Sequence, residues 1–136
     1  MAALKHLVKR KARGGLAWLL HTTGLRRLFR AGRRGVPVLM FHNVGHPGET
    51  DYIAGHIKVG EERLEQLLGA LERGGDRTMT VGELVAAFER GDLPKDRVVL
   101  TFDDGYRDNH DKLLPLLQRH QATATVFVQT GPMQGR

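Results

Sequence analysis

Two adjacent carboxylates, Asp103 and Asp104, follow the apolar run Val98-Val-Leu-Thr-Phe102 and precede Gly105. Such a run is short, continuous and β-branched, which predicts a strand buried on both faces. In parallel α/β folds the C-terminal ends of such strands form the active face. Like charges this close do not both ionise comfortably without a neighbouring cation. A divalent metal is the usual remedy: one Asp ligates it and its neighbour serves as a base toward water. Gly105 permits the tight turn that would expose both side chains. The same three residues also suit a plain turn and helix N-cap, where Asp is favoured. Spacing alone leaves both readings open.

Histidines are the other candidates. His42 follows a second continuous apolar run, Val36 to Phe41, which also predicts a strand buried on both faces, and is read either as a pocket residue or as a hydrogen-bonded loop anchor. His42 and His46 stand i, i+4 apart, a spacing that chelates zinc on a helix. Gly45 and Pro47 argue against a helix there, so His46 is not expected to be a ligand. His110 and His120 flank a helical stretch and His56 lies in a loop, and exposed or capping roles are expected for them. His6 and His21 belong to a separate leader.

The elements that must position these groups alternate. Leu64, Leu67, Leu68 and Leu71 fall on one helical face within residues 61–73, which Gly74-Gly75 ends. A short strand is expected near Thr78-Met79. Thr80-Val-Gly-Glu83 is a capping box opening a second helix, which Gly91 ends. Residues 107–120 read as helical, but Pro115 predicts a kink or two short pieces. Residues 122–128 predict a third strand. The fold class is therefore α/β with parallel strands joined by right-handed crossovers.

Charge divides the chain of 136 residues in two. Ten of its 21 basic residues and none of its 15 acidic residues lie in residues 1–34, so this leader carries +10 and residues 35–136 carry −4. The pI near 10.2 describes the leader alone. Leu16, Leu19, Leu20, Leu25, Leu28 and Phe29 can form an apolar stripe beside Arg26, Arg27 and Arg30, giving a basic amphipathic helix. That helix would suit an anionic membrane surface or dock on the protein's own body. No aromatic stacking platform accompanies the arginines, which argues against nucleic acid. The apolar stretch at 16–20 is too short for a signal-peptide core and no run reaches the ~20 residues of a membrane span, so a cytoplasmic or peripheral membrane location is favoured. The absence of cysteine excludes disulfide scaffolds, thiolate zinc sites and cysteine nucleophiles.

Residues 98–109, VVLTFDDGYRDN, followed by ATATVFV at 122–128, resemble the polysaccharide deacetylases of the NodB-homology group. Their first motif is Thr-Phe-Asp-Asp-Gly, and an Ala-Thr-x-Phe strand follows one helix later. Residues 37–44, PVLMFHNV, resemble the family's Leu-Met-Tyr-His-x-Val strand, with Phe41 in place of the commoner Tyr. The helix at 61–73 and Thr-Val-Gly-Glu-Leu at 80–84 fit the family's lead-in, so the resemblance covers residues 36–136. It implies a distorted (β/α) barrel that removes acetyl groups from N-acetylated poly- or oligosaccharides with a divalent metal, often zinc. By position Asp103 would be the general base, Asp104 a metal ligand and His42 a pocket residue.

The resemblance also implies a His-Ser/Thr-x-x-His motif after the Ala-Thr-x-Phe strand, a later arginine and a later catalytic histidine. No histidine follows Val128. The reading is thus a leader, 1–34, and an incomplete deacetylase domain, 35–136, expected to be inactive alone. Two other readings use different features. A magnesium-dependent phosphoryl-transfer fold would share the Asp pair but lacks a Gly-rich phosphate loop. A membrane-anchoring or binding module would use the leader.

Overall fold

The computed structural model describes residues 35–46 and 58–131. The leader at 1–34, and with it His6, His21 and the amphipathic helix expected there, lies outside the described residues, as does His56. The described residues form an α/β unit whose strands all pair in parallel. No described helix is long and apolar enough to cross a membrane.

The elements run β1 (Val38–Phe41), β2 (Asn43–Val44), β3 (Lys58–Val59), α1 (Glu61–Gly74), β4 (Arg77–Met79), α2 (Val81–Arg90) and β5 (Arg97–Phe102). A π-helical turn (Asn109–Leu113) then leads into α3 (Leu114–Arg119) and β6 (Thr125–Val126). β5 is the axis of the four-stranded sheet. β1 occupies one of its edges over the register Val38↔Val99 to Phe41↔Phe102. β4 and β6 share the other edge: β4 pairs with Arg97–Val99 and β6 with Thr101 and Phe102. The hand-over between them is tied by side chains. The Thr123 amide donates to Thr78 Oγ1 at 2.6 Å, and the Val81 amide donates to Thr125 Oγ1 at 3.0 Å. β2 and β3 form a separate two-stranded pair.

β5 is buried on both faces, as its composition dictates: every residue from Val98 to Phe102 is buried. Val98, Leu100 and Phe102 pack with Leu64 and Leu68 of α1, Val44 of β2 and Leu113, Leu116 and Leu117 beyond the turn. Leu67 and Leu71 lie at the margin of this cluster, so the leucine stripe faces the core as its spacing requires. Gly75 closes α1 in the left-handed region at φ 68°. α2 opens with the complete capping box. Thr80 Oγ1 accepts from the Glu83 amide at 3.2 Å, and Glu83 Oε2 accepts from the Thr80 amide at 2.7 Å. The Thr80 amide first, and then the Thr80 hydroxyl, which donates to the same Oε2 at 2.9 Å, hold the Glu83 carboxyl below the usual glutamate range.

Two strand expectations are corrected. β1 was expected to be buried on both faces, yet Val38 and Met40 are 52% and 65% exposed. Leu39 and Phe41 alternate with them and pack against the core. β1 is paired on β5 but only its inward face is covered among the described residues. The strand expected at 122–128 pairs only at Thr125–Val126. Phe127 and Val128 beyond it are half exposed.

Pro115 acts as its chemistry demands. It has no N–H and its ring crowds the carbonyl four residues back. The helix divides into two pieces: the π-helical turn, closed by the Leu114 amide donating to the Asn109 carbonyl, and then α3 with Pro115 in its first turn.

Candidate active site

Position along paired strands creates the site. Phe41 and Phe102 are register partners, and their rings stack with centroids 5.1 Å apart. The ladder continues one step further, because the Asp103 amide donates to the Phe41 carbonyl at 2.9 Å. The next side chains on each strand, His42 and Asp103, therefore face one another, with Nε2 3.9 Å from Oδ2. Both remain partly open to solvent, at 26% and 31% exposure.

The chain then turns sharply. Asp104 takes φ 73° and Gly105 φ 65°. The left-handed region is strained for most residues but accessible to Asp and Asn, and Gly meets no penalty there. Gly105 is required for a second reason: a Cβ at this position would lie 2.7 Å from Val128 Cγ1. The turn sends the two carboxylates to opposite edges of β5. Asp103 faces His42 beyond β1, whereas Asp104 Oδ1 accepts from Gln129 Nε2, beyond β6, at 2.6 Å. Like charges on neighbouring residues are thereby separated, each with a partner of its own. The turn reading and the site reading of Asp103-Asp104-Gly105 are thus compatible, and the N-cap of the following helical turn is Asp108 instead.

The other histidines are drawn elsewhere. His46 Nε2 lies 3.4 Å from Glu62 Oε2, so the His42/His46 pair diverges. His110 is exposed, with Nδ1 3.0 Å from Asp111 Oδ1. The His110 ring and then the Arg107 guanidinium hold the Asp111 carboxyl below its usual range. His120 is the C-cap residue of α3 and its ring is largely covered, with Nδ1 3.4 Å from Glu72 Oε2 of α1. It caps, as one expected role had it, but is not exposed. Among the described residues no three His, Cys, Asp or Glu side chains are grouped to hold a metal. Structural and catalytic zinc centres take three or four protein ligands. Asp104 is at most one of them, and the described residues do not by themselves make a zinc centre.

A cavity of about 440 Å³ lies between the C-terminal end of α1 and the start of β4, lined by Leu68, Glu72, Asp76, Arg77 and His120 among others. It is at the opposite end of the strands from Asp103, on the face that in parallel sheets serves stability, and takes no part in the site.

Two residues of the site lay beyond the sequence reading. Gln129 orients the Asp104 carboxylate. Asp108 reaches back across 65 residues: Oδ1 accepts from Asn43 Nδ2 at 2.5 Å and Oδ2 from the Val44 amide at 2.6 Å.

Residues 90–135 match the sequence profile described as polysaccharide deacetylase. The Bacillus subtilis (strain 168) protein YxkH, which carries the polysaccharide deacetylase name, is 29% identical over 94 residues, which is 68% of this chain. The solved Streptococcus pyogenes deacetylase PplD, in complex with acetate, is 28% identical with a TM-score of 0.65 over 73% of this chain.

Over residues 90–135 the chain is similar to the polysaccharide deacetylases.

Two further structures share the fold. A de-N-acetylase from Aggregatibacter actinomycetemcomitans superposes with a TM-score of 0.62 at 23% identity, covering 74% of this chain and 40% of that one. The polysaccharide deacetylase BC0361 of Bacillus cereus gives 0.53 at 27% identity, covering 70% and 29%. The deacetylase profile encloses β5, Asp103, Asp104, Asp108, β6 and Gln129, and His42 meets this segment from outside it. The chain spans 31% of the length of YxkH and 44% of PplD.

Proposed function

We propose that the protein is a hydrolase that removes acetyl groups from N-acetylated sugars of a poly- or oligosaccharide. One observation supports this reading most: within the stretch matching the deacetylase profile, Asp103 stands at the C-terminal end of a fully buried parallel strand, facing His42 and separated from Asp104 by the turn. Amide hydrolysis needs a base that accepts a proton from water as its oxygen attacks the acetyl carbonyl carbon. Asp103 fills that role, being accessible and held on a backbone fixed by both β5 and β1. The attack forms a tetrahedral carbon. Its collapse breaks the C–N bond, the sugar nitrogen leaves as an amine after taking up the proton, and acetate remains. His42 lines the pocket beside the base and limits the orientations open to its carboxylate. The divalent metal implied by the resemblance, zinc in the usual case, would draw one ligand from Asp104 and needs donors beyond the described residues. The distorted (β/α) barrel belongs to the same proposal, with the parallel sheet as the part described.

The test is acetate release from an N-acetylglucosamine oligomer by the protein purified from its source, read alongside free amine. Equal amounts of the two support de-N-acetylation. Release of neither product contradicts the reading, and acetate without amine from an O-acetylated sugar redirects it to ester hydrolysis.

A further inference from the structure

We propose that Asp108 is a positioning residue: by clamping Asn43 and Val44 it holds His42 opposite Asp103. The inference rests on the deacetylase reading and adds a residue to it. His42 is the single residue between β1 and β2. Its N-terminal side is fixed by the Phe41↔Phe102 register. Its C-terminal side is held by the β2–β3 pairing and by Asp108, whose two oxygens take the Asn43 side-chain amide at 2.5 Å and the Val44 backbone amide at 2.6 Å. Asn43 and Val44 are 4% and 1% exposed, so water competes little for these donors. Hydrogen bonds to an ionised carboxylate are shorter and about twice as strong as neutral ones. Asp108 is itself five residues past Asp103 on the same turn, where the Asn109 amide donates to the Tyr106 carbonyl at 2.9 Å. The two segments that supply the pair are thus joined at the strands and again beyond them. Removing Asp108 leaves β2 held by β3 alone and loosens the backbone that aims His42 at Asp103.

The test compares D108N, N43D and the reciprocal N43D/D108N in the protein expressed from its own gene. In D108N one oxygen serves two donors and the new amide opposes the Asn43 amide. Misplacement by about 1 Å can cost about a hundredfold in rate. The expected result is a fall in kcat of at least about tenfold with KM changed less than about twofold, and faster deuterium exchange at the Val44 amide. N43D sets two carboxylates against each other and is expected to lose at least as much. In the reciprocal swap the side-chain amide now at position 108 donates to the carboxylate now at position 43, and its carbonyl oxygen accepts from the Val44 amide. Most of kcat is expected to return. If D108N does not fold, N43A removes only the side-chain half of the clamp and carries the same readings. A variant that loses Val44 protection yet keeps kcat overturns the proposal, since Asp108 is then only a staple for β2. Should the wild type release no acetate, the deacetylase reading fails by itself. Asp108 is then judged by the His42 imidazole shifts in the NMR spectrum: a change in D108N upholds the positioning role and identical shifts overturn it.

Discussion

Asp103 and Asp104 are consecutive in the chain, yet their carboxylates answer to opposite edges of the same strand. Asp103 lies 3.9 Å from His42 beside β1, and Asp104 is bonded to Gln129 beside β6. The left-handed backbone at Asp104 produces this split. It leaves one acid partly open to solvent while the other is held by an amide donor. The β5 edge shared by β4 and β6 brings Gln129 to that place, so a strand of only two residues has a direct part in the site.

Gly105 is the tightest point of the turn, and two glycines separate the causes. Gly105→Ala places a left-handed alanine with its Cβ against Val128, whereas Gly91→Ala, at φ 72°, meets nothing within 4 Å. Left-handed strain alone costs about 1–2 kcal/mol. Both variants are expected to melt lower than wild type, Gly105→Ala by the larger margin. Equal denaturation midpoints would show that the Val128 contact is relieved without cost.

Asp104→Asn isolates chemistry from folding. Asn tolerates the left-handed region, so the turn survives, but the carboxylate is gone. The melting temperature is expected to stay near that of wild type, zinc binding by titration calorimetry to weaken, and acetate release to fall at least about a hundredfold. Undiminished zinc affinity would remove Asp104 from the metal centre. Chelation of the wild type, followed by return of zinc, is expected to abolish and then restore activity.

The capping box gives a pH signature. Because the Thr80 amide and hydroxyl hold the Glu83 carboxyl below its usual value, folding favours the ionised form. The associated stability is present above the ordinary glutamate pKa of about 4.3 and is lost as pH falls through the depressed folded value. Wild type is therefore expected to melt above Glu83→Gln at neutral pH, with the gap closing in acid. A gap that does not vary with pH would assign the effect to the hydrogen bonds alone and not to the charge.

Much of the site was legible in the chain because its signals are local. A continuous apolar run ending in Asp-Asp-Gly reveals a buried strand with acids at its tip, and a second run ending in His42 predicts a neighbour. Pro115 and the Thr80–Glu83 box likewise act within a few residues of themselves. The misses share a different origin. Val38 and Met40 look like core residues, but which face of β1 is covered depends on what packs there, and periodicity carries no such information. Residues 122–128 have strand composition throughout, yet β5 offers its edge to β6 at Thr101 and Phe102 alone, because β4 takes the rest. Asp108 reads as an ordinary acid at a helix start, and its partners stand 64 and 65 residues away. Gln129 has no local signal at all.

The most direct measurement is the rate of acetate release from an N-acetylglucosamine oligomer by wild type and Asp103→Asn, both expressed from the protein's own gene. General-base catalysis contributes about 10²–10⁴ in rate. The account requires release by wild type, a loss of at least about a hundredfold in Asp103→Asn, and zinc binding and melting temperature left unchanged. Asp103→Asn that releases acetate at the wild-type rate would contradict it.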